Sequence, residues 1–287
     1  MCMKHPSKWR ETVDPFRLPY RHFQLAEVLG YPHAGNDVFH VRGIYQQREV
    51  TAFVKAARQT GADLCREVEI IRRLNWPLAP EVIDFDEADG RFVVTLEKPG
   101  ERLSVIAGEN ARLESMAYLY EYGRTLAMLH SIQGDFPPVK DRRFFHLPDR
   151  EQLEHTPIAF VWDWLNEHRP AQRQLCFCHG DFHYANLLWQ NGRLSAVLDF
   201  ELAGMGDRNF DIAWAMAVRP GQRFLHTEAE ARLFLEGYAS AGTYDWQAVQ
   251  YHLAVIYAYF YSFAENEPAY LQLIETALSA ITGTSAR

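Results

Sequence analysis

Only four cysteines occur in 287 residues (Cys2, Cys65, Cys176 and Cys178), and no two of them form a C-x-x-C pair. That is too little for a disulfide scaffold, and it is the usage of a reducing compartment. No apolar run approaches the ~20 residues of a membrane-spanning helix. Met1 to Lys8 also lacks the hydrophobic stretch of a signal peptide, so the expected location is cytoplasmic. Positive charge is in deficit, with 29 Lys and Arg against 37 Asp and Glu and a net charge of −8. A non-specific nucleic-acid binder needs the opposite balance. Internal repeats and low-complexity tracts are absent, which excludes solenoids and disordered linkers.

What remains is an ordinary globular composition, 48% hydrophobic and 23% charged, over a length that suits one large core or two lobes around a cleft. Residues 1–20 are basic with scattered aromatics and read as a loose arm or short helix. From Phe23 to Leu96 the pattern is strand-rich. Gln24–Leu29, Val38–Ile44 and Glu49–Ala56 alternate as strands do, and Ala62–Leu74 has helical spacing. Val82–Asp86 and Arg91–Leu96 flank an Asp89-Gly90 turn. After Pro99-Gly100 the chain turns helical, over 111–132, 158–167, 228–240 and 246–262. One β segment interrupts these helices: Leu187–Trp189 and Leu194–Phe200 around Asn191-Gly192, a strong hairpin signal. Strands first and helices later imply an α+β chain of two parts, 1–97 and 98–287. Cys176 and Cys178 alternate with Phe177 and read as buried strand residues rather than a metal site.

The chemistry sits at the two ends of that hairpin. His179-Gly-Asp181-Phe-His-Tyr-Ala-Asn186 precedes it, and Leu198-Asp199-Phe200-Glu201 ends it. A tight hairpin returns its second strand beside its first, so Asn186 and Asp199 are expected close in space. Their oxygens are hard donors suited to Mg²⁺, which needs few protein ligands when phosphates supply the rest. Asp181, five residues before Asn186, can accept a hydroxyl proton. Phosphoryl transfer asks mainly for such positioning and charge neutralisation.

A second constellation lies in the strand-rich half. Val50-Thr-Ala-Phe-Val-Lys55 ends an apolar strand in a lysine. With Leu64 at zero on a helical wheel, Val68, Ile71 and Leu74 fall at about 40°, 340° and 280°. Glu67 falls inside that arc at about 300°, whereas Glu69 falls opposite, at about 140°. A carboxylate in an apolar stripe needs a cationic partner, and Lys55 is the candidate, with Arg66 and Arg72 as the local alternatives.

The H-G-D-x-x-x-x-N loop and the D-F-E turn together resemble the aminoglycoside phosphotransferase and choline kinase superfamily. The likeness spans residues 25–215 and is densest at 179–201. It implies a two-lobed, protein-kinase-like α+β fold: an N-terminal nucleotide-binding lobe (1–97) with an antiparallel sheet and one helix, and a mainly helical catalytic and substrate-binding lobe (98–287). It implies a kinase that moves the γ-phosphoryl of ATP, or GTP as the alternative, onto a hydroxyl of a small molecule. By the resemblance Asp181 is the base, Asn186 and Asp199 bind Mg²⁺, His179 braces the loop, and Lys55 held by Glu67 contacts phosphate. Arg66-Glu67…Leu74 matches the family's R-E…L helix. Gly206-Asp207-Arg-Asn-Phe-Asp211-Ile-Ala is similar to its G-D-x-x-x-D-L-A pattern, which gives Asp211 the role of accepting hydrogen bonds from the catalytic loop. The turn from Gly30 to Val38 stands where the family has a Gly/Ser-rich loop, so backbone groups at Gly35 and Asn36 are expected to meet phosphate. Phe92 to Gly100 resembles the inter-lobe hinge, where backbone groups around Glu97 would bind adenine.

The acceptor is open among aminoglycosides, choline, amino alcohols and sugar derivatives. An acidic C-terminal stretch, seven Asp and Glu against Arg232 and Arg287 over 227–287, reads either as a solvated helical surface or as the mark of a cationic acceptor. Tyr251, Tyr257, Tyr259, Phe260, Tyr261 and Phe263, followed by Glu265 and Glu267, read first as helix core; the alternative is aromatic faces and carboxylates that bind an amine. Two other functions compete. An inactive pseudokinase or nucleotide-binding regulatory module would be expected to lack Lys55, Asp181 or Asp199, and all three are present. A protein kinase would carry D-F-G, where this chain has Glu201.

Overall fold

Alternating β-branched and aromatic residues set the first half of the chain as strands. The computed structural model describes residues 13–32, 35–58, 62–108, 111–264 and 267–284. β1 (Phe23–Gly30), β2 (Asp37–Tyr45), β3 (Arg48–Ala56), β4 (Val82–Phe85) and β5 (Phe92–Leu96) form one antiparallel sheet in the order β1-β2-β3-β5-β4. In β3 the period of two buries Ala52, Val54 and Ala56 in a cluster with Val41, Phe92 and Val94, which turns Lys55 to the other face. Lys55 stands opposite Val93 of β5. Val93 packs with Leu64 and Val68, both on the helix α1 (Leu64–Leu74). The Asp63 carboxylate caps this helix by accepting from the Arg66 N–H at 3.0 Å, and Asn75 ends it in the left-handed region.

Of the loose arm or short helix expected over residues 1–20, the described part is a short helical turn fastened to the sheet. The Val13 N–H donates to Asp37 at 3.0 Å, and Asp14 caps a short 3₁₀ turn over Pro15–Arg17. The N–H groups of Arg21, His22 and Phe23 then converge on one oxygen of Asp84 at 2.8, 2.8 and 2.9 Å. Two buried carboxylates therefore fasten this segment to the sheet. Residues 1–12 lie outside the described residues.

The second half is mainly helical: α2 (Leu103–Ile106), α3 (Ala111–His130), α4 (Arg150–Leu153), α5 (Phe160–Glu167), α6 (Arg208–Met216), α7 (Glu228–Ala239), α8 (Trp246–Phe263) and α9 (Pro268–Thr282). Its core is built on fully buried side chains such as Val161, Phe177, Phe182, Ile212, Phe234 and Ile256. α3 and α7 approach so closely that a Cβ at Gly123 would strike the Phe234 carbonyl, and one at Gly237 the Tyr120 carbonyl. β6 (Leu175–Cys178) pairs antiparallel with β9 (Gly204–Asp207), from Leu175 opposite Asp207 to Cys178 opposite Gly204. β7 (Leu187–Gln190) and β8 (Arg193–Val197) make the hairpin, with Asn191 and Gly192 at φ 53° and 74°.

The chain divides into two compact units, Met1–Pro99 with Ala196–Glu201, and Gly100–Ser195 with Leu202–Arg287. Residues 196–201 count with the sheet unit, where the Val197 N–H donates to the Leu78 carbonyl at 2.8 Å.

Candidate active site

The loop His179–Asn186 leaves the buried end of β6 and is held from beneath by Asp211. This residue lies in the first turn of α6, whose N-cap Asp207 accepts from the Asn209 N–H at 3.0 Å. Fully buried, Asp211 accepts the N–H groups of His179 and Gly180 through different oxygens, at 2.7 and 2.9 Å. His130 Nε2 lies 3.3 Å from the same carboxylate, and its Nδ1 lies 2.7 Å from the Tyr238 hydroxyl. The arrangement makes Nε2 the donor and Nδ1 the acceptor. Both nitrogens are thereby engaged, and Cys176 and Cys178 beside His130 remain buried strand residues. Gly180 has φ +77°, and a Cβ there would stand 2.8 Å from the Leu202 carbonyl oxygen, so the turn requires glycine. His179 is fully buried, and its Nδ1 accepts the Asp181 N–H at 3.2 Å.

Asp181 is surrounded by donors. The Trp214 indole N–H donates to Oδ1 at 2.8 Å, and Asn186 Nδ2 donates to Oδ2 at 3.2 Å. His183 Nδ1 accepts the Ala185 N–H, which places its proton on Nε2, 3.5 Å from Asp181 Oδ2. Arg142 Nη1 approaches Oδ1 at 3.6 Å. Burial alone would raise the carboxyl pKa. The hydrogen bond from His183 and the positive charge of Arg142 outweigh burial and hold Asp181 well below the usual carboxylate range. Asn186 Nδ2 also donates to the Asp181 carbonyl at 3.0 Å. With its nitrogen spent on the loop, the Asn186 amide keeps its oxygen for a ligand.

In the sheet unit, Lys55 Nζ stands 2.9 Å from Glu67, 2.9 Å from Asp199 and 3.3 Å from Glu201. Asp199 takes φ +66°, a conformation that β-carboxylates tolerate better than most side chains. Three carboxylates face one ammonium, an excess of two negative charges. Burial would lower the Lys55 pKa, but the charges of Glu67 and Asp199 more than offset it, and the amine is held protonated. Glu67 is pushed up, by burial first and then by Asp199 and Glu201, with Lys55 opposing. An excess of carboxylate oxygens beside an outward-facing Asp199, 43% exposed, is chemistry that suits a divalent cation. Lys55→Ala and Glu67→Ala should not be additive. A double-mutant cycle on thermal stability is expected to give a coupling of about 1–3 kcal/mol, and additive effects would argue that the two act separately.

The backbone around Glu97, expected to meet adenine, is partly engaged by the sheet. The N–H groups of Leu96 and Glu97 are given to the carbonyls of Glu81 and Thr51 at 2.9 and 3.1 Å, so sheet pairing removes both as adenine donors. The Glu97 side chain meets His40 Nε2 at 3.2 Å. Asn36 uses its side chain inward, donating to Glu201 at 3.2 Å and accepting the Arg58 N–H at 3.3 Å. Gly35 stands at φ +96°, while His33 and Ala34 of the same turn lie outside the described residues.

The sequence reading passed over Glu201, Trp214, His183 and Arg142. Glu201 and His183 lay within the quoted motifs and carried a signal. Trp214 sits one helical turn after Asp211, which places it on the same face. Arg142 belongs to an irregular stretch with no periodic signal.

A family model described as a phosphotransferase enzyme family matches residues 32–252. The chain is 25% identical over 255 residues to an aminoglycoside 3'-phosphotransferase of Niallia circulans, covering 80% of this chain and 94% of that protein. Among solved structures, a choline/ethanolamine kinase family protein from Mesorhizobium loti superposes with a TM-score of 0.61 at 18% identity, over 94% of this chain and 90% of that one. A thermostable mutant of an aminoglycoside phosphotransferase, in ternary complex with AMP-PNP and hygromycin B, superposes at 0.60 with 15% identity, over 91% and 94%. These structural likenesses show the protein-kinase-like α+β fold. The family match extends over well more than half of the sequence, and by it the chain belongs to the phosphotransferase enzyme family.

Proposed function

We propose that this phosphotransferase moves the γ-phosphoryl group of ATP onto a hydroxyl of a small molecule. The observation that carries the reading is Asp181, an ionised carboxylate aimed by the Trp214 N–H and the Asn186 amide on a loop that Asp211 locks in place. The hydroxyl oxygen forms its new bond to the γ-phosphorus as the bond to the β,γ-bridging oxygen breaks. Its proton passes to Asp181, and ADP leaves. A strongly ionised carboxylate is a weak base, which suits a loose transition state in which the hydroxyl needs orienting more than early deprotonation.

Lys55, anchored by Glu67, would bind the nucleotide phosphates. Asn186 through Oδ1 and Asp199 would hold Mg²⁺, whose contribution when bound is to neutralise charge on the β- and γ-phosphates. The hinge donors for the base would begin at Lys98, since Leu96 and Glu97 have spent theirs. GTP stays the alternative nucleotide. The AMP-PNP complex of the related structure supports a nucleoside triphosphate as donor, and the intact set Lys55, Asp181 and Asp199 favours an active enzyme over a pseudokinase.

The test is Mg²⁺-dependent ADP formation against aminoglycosides, choline, homoserine, thiamine and sugar amines, with a melting-temperature shift by Mg-ATP as the independent readout. Turnover of one or more acceptors is expected. Silence across the panel together with no Mg-ATP shift would reject the kinase reading.

A further inference from the structure

Two arginines stand beside the base, where a cationic acceptor would have to sit. The Arg142 guanidinium carbon lies 4.1 Å from the centre of the Trp214 ring, and that of Arg219 lies 4.9 Å from the same ring. This is the indole that donates to Asp181. Arg142 Nη1 also donates to the Gly180 carbonyl, which occupies one of the five N–H groups of a guanidinium. Arg219 donates to the carbonyls of Ala217 and Trp214 at 2.9 and 3.1 Å and forms no ion pair among the described residues. Burial lowers the pKa of both arginines, and the Arg219 charge adds to the lowering at Arg142. Arg142 faces Asp181 and, from further off, the charge of Asp211, whereas no carboxylate stands within ion-pair distance of Arg219 among the described residues, so the Arg219 charge has no direct partner. That is costly until a counter-ion arrives.

The aromatic stretch of α8 is largely packed and bonded internally, as its core reading has it, and offers no open cage for an amine. Tyr251 and Tyr257 are buried, and the Tyr257 hydroxyl accepts the Val218 N–H at 3.1 Å. Tyr261 donates to Glu275 at 2.9 Å, and Arg143 covers Phe263 with its guanidinium carbon 4.6 Å from the ring centre. Glu267 is an exposed residue at the head of α9, and Glu265 lies outside the described residues. Asp211, the other carboxylate near the loop, is consumed by two backbone donors and His130.

We propose that the acceptor carries an anionic group, carboxylate or phosphate, in addition to the hydroxyl that reacts, and that Arg142 and Arg219 bind this group. The proposal rests on the kinase reading and narrows its substrate class. Bidentate guanidinium forks match the planar or tetrahedral oxygens of such groups. As Asp181 takes up the hydroxyl proton its own charge falls, and the arginines are left to the substrate anion.

The experiment uses matched alcohols on the full chain with Mg-ATP: glycerol, glycerate and glycerol phosphate in one series, and ethanolamine, choline and kanamycin as the cationic arm. The better of the glycerate and glycerol phosphate arms, which distinguish carboxylate from phosphate, is expected to exceed glycerol in kcat/KM by about 100-fold, the scale of charge-assisted hydrogen bonds. Arg219→Gln should erase most of that preference, chiefly through KM for the anionic arm. Preference for the cationic arm, or an equal loss across all acceptors in Arg219→Gln (an arginine serving the phosphoryl group instead), would overturn the proposal while leaving the kinase reading in place. Should no alcohol of this series turn over, gluconate and inorganic phosphate serve as binding probes: either is expected to raise the melting temperature of the wild type more than that of Arg219→Gln, and equal or absent shifts overturn the proposal. A missing Mg-ATP shift would instead remove the kinase reading beneath it.

Discussion

Asp181→Asn should lower kcat by about 10³-fold, within the range for loss of a positioned base, while the melting-temperature shift produced by Mg-ATP stays as in the wild type. The asparagine preserves the shape and keeps an oxygen for the Trp214 N–H. What it loses is the capacity to take the hydroxyl proton. Full turnover by this variant would reject Asp181 as base, and a lost nucleotide shift would mean that the residue serves binding. The pH dependence follows from the same geometry. Folding depresses the Asp181 pKa, so its contribution to stability is complete above about pH 4, the unfolded value, and is lost only as pH falls further through the folded one. An acid limb of kcat near pH 6 would therefore belong to another group. Trp214→Phe removes the 2.8 Å donor and should move the Asp181 limb to higher pH, with KM for ATP little changed. An unmoved limb would show that the indole does not tune the carboxylate.

Local pattern made most of the skeleton legible. Period-two alternation in β3 fixed which face Lys55 occupies, and a helical wheel on α1 placed Glu67 on the face that meets it; the observed 2.9 Å contact needs both. Asn191-Gly192 marked its hairpin because both residues tolerate positive φ. The turn at Gln46-Gln47 uses the same backbone region, at φ 48° and 63°, with residues that carry no such preference, so its sequence was silent. β9 was missed because Gly204-Met-Gly-Asp207 has no strand propensity, and its pairing with β6 is imposed by tertiary contact. The arginines beside Asp181 were unreadable for a different reason. Arg142 comes from an irregular connection and Arg219 from just beyond α6, and only folding sets both against one indole. The acidic tail, by contrast, was legible without informing on the acceptor: net charge over 227–287 says nothing about which residues reach the base.

Asp211→Ala is expected to be the most destabilising single change in the site. Its carboxylate satisfies two buried backbone N–H groups and the His130 imidazole, which in turn holds the Tyr238 hydroxyl. Alanine would leave three donors in a fully buried space with no replacement acceptor. Removing one member of such a buried charged network costs about 3–5 kcal/mol. For a chain of this size that corresponds to a fall in melting temperature of roughly 10 °C. The catalytic loop depends on the same bonds, because the N–H groups of His179 and Gly180 fix the φ +77° turn that presents Asp181. Turnover should therefore fall in Asp211→Ala even well below its melting point. Asp211→Asn separates the two effects: its one remaining acceptor oxygen can serve one loop N–H but not both, and its amide introduces a donor facing donors. It should recover little of the lost stability. A variant that melted within about 2 °C of the wild type would show that the loop is held by packing of Phe182 and the strand pair β6–β9, and that the carboxylate is dispensable.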